Sequence, residues 1–177
     1  DDPHLLPYWS VLSSQQNLAG DQVGSLASTQ RVLAGLEASL PADHPDVSQS
    51  RYNVAVVSMR VGDLVRATDL LARVLEVETS RARPDSGRIA TSASAGMECL
   101  SDLGDFAGAR SWYERYGWAF AFHRRTDDPE RYSTLHEVAR VFAATGRAQE
   151  AVALFDSTIA FEARHNDSTT AVPILFE

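Results

Sequence analysis

The sequence contains no lysine: its 16 basic residues are all arginine, set against 24 Asp and Glu for a formal charge of -8. The halves are alike, with 8 Arg against 11 acids over residues 1–88 and 8 against 13 over 89–177. Neither has the basic surplus that a phosphate-backbone binder needs, so nucleic acid is not an expected partner. A single cysteine, Cys99, excludes an intramolecular disulfide and a cysteine-based zinc cluster. No apolar run approaches the roughly 18 residues that read as a membrane span, and no charged-then-apolar leader opens the chain, so direct membrane insertion is not expected. The single cysteine leaves the redox compartment open; the expectation is a cytoplasmic protein, with an exported mature form as the alternative. Because the chain opens on Asp1 rather than Met, it reads as a processed product or an excerpt of something longer. No phosphate-cradling glycine loop is present, the five His are scattered, and His136-Glu137 lacks the second His of a zinc-protease helix. The expectation is a protein that is not an enzyme and takes no cofactor or metal.

What is present is a repeat. Gly20, Gly62, Gly104 and Gly146 are spaced by 42 residues, and the first three are each followed by Asp. The same step links Asp1, Asp43, Asp85 and Asp127. Each unit therefore carries a glycine able to end a helix in the left-handed region, an Asp able to cap the next, and a second, Asp-rich loop. Between these marks Leu64, Ala67, Leu70, Leu71, Val74 and Leu75 recur at helical spacing. Helices are expected over about 6–19, 22–40, 46–61, 64–81, 88–103, 106–124, 129–145 and 148–165. The reading is all-α: four hairpins in units 1–42, 43–84, 85–126 and 127–168, stacked as a right-handed solenoid, with 169–177 an apolar tail or the start of a fifth unit.

The pattern resembles the tetratricopeptide repeat family. Repeat four supplies Leu135-x2-Val138-Ala139-x2-Phe142, Gly146 and Ala151-x3-Phe155. Repeats two and three keep Ala67-x3-Leu71 and Ala109-x3-Tyr113, while repeat one keeps Trp9-x2-Leu12 but has Ser25 and Thr29 in the second helix. The longer period, with Asp43-His44-Pro45-Asp46-Val47 and Tyr52-Asn53-Val54-Ala55, resembles the repeats of kinesin light chains. The resemblance implies a scaffold that binds a protein or peptide in a concave groove lined by the first helix of each hairpin. It also admits two alternatives, a sensory or regulatory domain of a larger signalling protein and a structural subunit of a larger assembly.

Stepping by 42 along the first helices gives the candidate groove residues Tyr52, Asn53, Val56, Arg60, Glu98, Asp102, His136, Glu137 and Arg140. Glu98 is expected beside Arg140, and Arg60 beside Asp102, as ion pairs across repeats; alternatively Arg60 and Arg140 clamp a carboxylate. Glu98, Asp102, His136 and Glu137 form the one place where a metal or an acid–base pair would assemble. The chaperone-tail clamp of the family is disfavoured, because Ser10, Ser14, Thr91 and Ala95 stand at its other matching places beside Asn53. The paired amides of kinesin-light-chain repeats are reduced to Asn53, against Ala95 and Glu137. Six of the fifteen aromatics fall within eleven residues, Trp112 to Phe122. They read as a helix buried on both faces or as an exposed interface of Trp112, Trp118, Phe120 and Phe122. Cys99, aligned with Val57 and Val141, reads as a small core hydrophobe.

Overall fold

The computed structural model describes residues 3–120 and 129–165. After a 3-10 turn at Pro3–Leu5 come α1 (Leu6–Leu18), α2 (Gln22–Ser39), α3 (Pro45–Arg60), α4 (Leu64–Ser80), α5 (Ser86–Asp102), α6 (Phe106–Tyr116), α7 (Pro129–Ala144) and α8 (Ala148–His165). No strand occurs among the described residues. Consecutive helices pair as antiparallel hairpins, and the second helix of one hairpin packs on the first of the next, as α2 does on α3 and α4 on α5. The result is an α-solenoid.

The period is written into the backbone at its glycines. Gly20, Gly62, Gly104 and Gly146 have φ between 80° and 84°, a region that costs an L side chain strain. Each lies at the end of a first helix, where the next amide reaches back to a carbonyl five residues earlier. The bonds run from Asp21 to Gln16 (2.8 Å), Asp63 to Ser58 (2.9 Å), Asp105 to Leu100 (2.8 Å) and Arg147 to Phe142 (2.8 Å). That closure satisfies carbonyls the helix leaves open and turns the chain sharply. Asp21, Asp63 and Asp105 then accept from the backbone amides of Gly24, Arg66 and Gly108, capping the second helices.

Packing inside the hairpins changes along the array. In repeat two, Ala55 of α3 meets Ala67 and Leu71 of α4, all fully buried. One period earlier the same places hold Ser13, Ser25 and Thr29, and they are joined by hydrogen bonds instead. The Ser13 hydroxyl lies 2.6 Å from the Thr29 hydroxyl and 3.2 Å from that of Ser25, and Ser25 Oγ donates to the Ser13 carbonyl at 3.1 Å. The departure of repeat one from the family pattern is thus a hydroxyl zipper, which satisfies groups that would be costly to bury alone. The main apolar cluster lies further on, built from Leu75, Ile89, Met97, Tyr116, Phe120, Val138 and Phe142 among others.

The helix expected over 106–124 is shorter. α6 stops at Tyr116, the Gly117 amide donates to the Tyr113 carbonyl (2.7 Å), and residues 117–119 form a turn. Glycine is among the poorest helix formers and ends the run despite the aromatics around it. The interval 121–128, which contains Phe122, and the tail from 166 onward lie outside the described residues, as does the expectation for 169–177.

Candidate functional site

The first helices α1, α3, α5 and α7 lie side by side, and the residues stepped along them fall into two groups. Tyr52, Asn53, Val56 and Arg60 of α3 line one cleft of about 390 Å³ together with Ser10, Ser13, Ser14 and Asn17 of α1. Its lining carries one charge, Arg60, and no carboxylate. On the far side of Tyr52 a second cleft of about 310 Å³ opens between α3 and α5, bordered by Gln49, Arg88, Thr91 and Ser92. Tyr52 is therefore the wall between adjoining depressions.

The second group, on α5 and α7, is acidic. Arg140 Nη2 donates to Asp102 at 2.9 Å, and its Nη1 donates to Glu137 at 3.1 Å. Glu137 is buried and also accepts from the Ser101 hydroxyl at 2.6 Å. Glu98 is exposed, yet its carboxyl is held above the usual carboxylate range. Desolvation between the helices is the first cause and the charges of Glu137 and Asp102 follow, with Arg140 pulling the other way.

These contacts correct the expected pairings. Arg140 bonds Asp102 and Glu137, not Glu98; Arg60 Nη1 donates to Asn17 of the preceding hairpin, not to Asp102. The two arginines are engaged on separate groups and do not form one clamp. Glu137 shares the exposed row in a helical projection, but α7 turns it against α5, so it is a buried structural acid. His136 is exposed and sets its ring edge-on to Phe155 of its own hairpin, at 5.4 Å between centroids. Among the described residues no three His, Cys, Asp or Glu side chains converge as a metal site requires.

The aromatic group divides as well. Trp112 packs its ring onto Gly96 of α5 and lies edge-to-face with Tyr116 (6.0 Å), and Phe120 is buried beside Tyr113. Phe120 belongs to the main apolar cluster, and Trp112 packs against it, partly buried. Trp118, in the turn after α6, remains 54% exposed. Cys99 is fully buried, and desolvation pushes its thiol up to about 11, with a bond from Thr68 opposing; it is an uncharged core residue.

One polar centre was missed from the sequence. Glu78 of α4 is buried, accepts from the Ser48 hydroxyl (2.9 Å), and pairs with Arg81 (3.0 Å) and Arg88 (3.7 Å). An acid at the place that holds Leu36 one period earlier and Phe120 one period later was the available signal.

No protein-family model matches the chain, and no curated protein sequence matches it closely. Solved structures do. Kinesin light chain TPR-like repeats from Podosopora anserina superpose with a TM-score of 0.72 at 24% identity, covering 94% of this chain and 79% of theirs. BtubC from P. vanneervenii gives a TM-score of 0.77 at 18% identity, over 100% of this chain and 72% of that one. The apo form of RapI gives 0.77 at 15% identity, over 94% and 59%. The chain has the fold of an all-α helical repeat array of the tetratricopeptide type. More particularly, the array is similar to the TPR-like repeats of kinesin light chains. No helix among the described residues is long and apolar enough to cross a membrane.

Proposed function

We propose that this protein is a non-catalytic scaffold that binds an extended peptide segment of a partner protein along the concave side of α1, α3, α5 and α7. The observation that carries the reading is Tyr52 standing between two adjoining clefts, so that successive side chains of one strand-like segment would enter either side of its ring. Charge gives the segment a direction. An acidic group fits the carboxylate-free cleft at Arg60, and a basic group fits Glu98, whose crowded carboxyl gains from a cation. The test is selection of peptides from a random library on the immobilised protein, followed by fluorescence anisotropy. Tyr52→Ala and Arg60→Ala should each weaken the selected peptides at least about tenfold, roughly 1.4 kcal/mol. Wild-type affinity in both variants would remove the site from the groove.

A second reading rests on Trp118, a large exposed aromatic in a turn, which suits contact with another subunit of a larger assembly. Trp118→Ala separates the two: it leaves peptide affinity unchanged if the groove is the site and abolishes assembly if the turn is.

A further inference from the structure

A line of polar contacts connects the buried acid Glu78 to the cleft between α1 and α3. Arg88 Nε lies 3.7 Å from the Glu78 carboxylate, and Arg88 Nη1 donates to Gln49 Oε1 at 2.7 Å. Gln49 Nε2 in turn donates to Asn53 Oδ1 at 2.8 Å. A guanidinium has donors only, so it fixes the oxygen of the Gln49 amide toward itself. The Gln49 nitrogen then takes the oxygen of Asn53, and the Asn53 nitrogen is left over. The α1 wall is set in the same manner: Arg60 Nη1 donates to Asn17 Oδ1, which leaves the Asn17 nitrogen over. Both amides line the cleft, as does Ser50, which is 4% exposed and whose hydroxyl has no partner among the described residues.

We infer that Arg88 is a positioning residue for this cleft: through Gln49 it holds the Asn53 amide with its N–H groups toward the ligand, so that the cleft admits an oxyanion, carboxylate or phosphoryl, and disfavours a neutral amide. The inference rests on the groove reading, the oxyanion being a side-chain group of the bound segment. An acceptor-only anion matches a lining whose amides offer nitrogen, whose hydroxyls can turn to donate, and whose one charge is Arg60. Glu78 makes the relay stiff. Its carboxylate is shared by Arg81, Arg88 and the Ser48 hydroxyl, partners that a buried acid requires, so Arg88 is anchored behind Gln49. An Asn53 amide turned the other way would set two N–H donors face to face and lose its bond. The repeat does not account for the relay, because one period on Thr91 and Ala95 replace Gln49 and Asn53, and one period back stand Pro7 and Val11.

Inorganic phosphate and acetate are titrated separately into the isotope-labelled 177-residue chain at constant ionic strength, with acetamide as the neutral counterpart of acetate. Binding is read from the side-chain amide signals of Asn17 and Asn53 in nuclear magnetic resonance spectra. At least one anion should shift both signals saturably while acetamide leaves them in place, and the anion that does so names the oxyanion. Gln49→Glu keeps the bond from Arg88 but presents only acceptors to Asn53, whose oxygen then turns into the cleft; anion affinity should fall at least about tenfold. Gln49→Met removes the relay without adding charge and should cost about threefold, as should Arg88→Leu, with Arg88→Lys, still a donor, restoring most of the loss. Circular dichroism checks the fold, and if Arg88→Leu is unfolded, Gln49→Met carries the test. Wild-type affinity in both Gln49 variants overturns the relay. Amide signals that neither anion moves, or that acetamide moves as far as acetate does, overturn the oxyanion site. Anions bound as expected while no peptide is selected count against the extended-segment reading alone.

Discussion

Gly96 tests how closely α5 and α6 are fitted. It lies inside α5, where replacing glycine by alanine in an exposed helix would gain about 1 kcal/mol from backbone entropy. Here the added methyl would stand 2.6 and 2.7 Å from Cε3 and Cη2 of Trp112, with Cζ3 nearer still. These are three atoms of one rigid ring, already bounded by Ala109, Tyr116 and Cys99 through the clusters it joins, so the indole cannot yield by bending its tip. Overpacking of this kind costs about 1–3 kcal/mol, and a whole ring displaced belongs at the upper end. The net expectation for Gly96→Ala is a loss of about 2 kcal/mol, or roughly 4–8 °C in Tm for a chain of this size. Gly35→Ala is the control, since its methyl would meet the branched end of Leu6, Cδ2 nearest with Cδ1 and Cγ at 3.3 Å, which belongs to a flexible side chain on the partly exposed α1 and can turn aside. It should be neutral or stabilising. Calorimetry and urea denaturation followed by circular dichroism give both values. Gly96→Ala matching or exceeding wild type would refute the reasoning, as would failure of Trp112→Leu to relieve the loss in the double variant.

Two further outcomes follow from the acidic group. Ser101→Ala should lower stability by about 2 kcal/mol in urea denaturation, since it removes a hydrogen bond to the buried carboxylate of Glu137; Ser14→Ala, whose hydroxyl donates to its own helix at Ser10, should change it by less than half as much. Because the Glu98 carboxyl is raised in the folded protein, the native state holds more protons than the unfolded one between the usual carboxylate range and that raised value. Stability therefore falls as pH rises through that window. Glu98→Gln should flatten a Tm profile taken from about pH 4 to pH 7 and raise its neutral end; superimposable profiles would argue against the crowding.

The sequence was most legible where a residue has one physical role. Glycine followed by Asp at a fixed step can hardly mean anything but a left-handed helix end and a cap, and the four positive-φ glycines are where the period places them. Long side chains were less legible. Arg140 reaches Asp102 rather than Glu98 because a guanidinium spans about one helical turn, so both acids were within its range and only the approach of α7 to α5 decides. Glu137 and Glu78 show the same limit for burial: an acid on a helix reads as solvated unless its partners, Ser101 for Glu137 or Ser48 and Arg88 for Glu78, can be seen arriving from other helices. The aromatic run misled because six rings in succession suggested one helix, while Gly117, a weaker signal in the same window, ended it.

The hydroxyl zipper between α1 and α2 sets how the molecule comes apart. No residue of α1 is buried, and where the next repeat joins its helices through Ala55, Ala67 and Leu71, the seam beneath α1 has short polar side chains that water can match almost bond for bond. In a linear array each unit is steadied only by its neighbours, so α1 opens at a small fraction of the global free energy. The backbone amides of α5, between Leu75, Met97 and Val138, are released only when the array as a whole unfolds. Amide exchange should thus run faster along α1 than along α5, whose neighbours are apolar and closely packed.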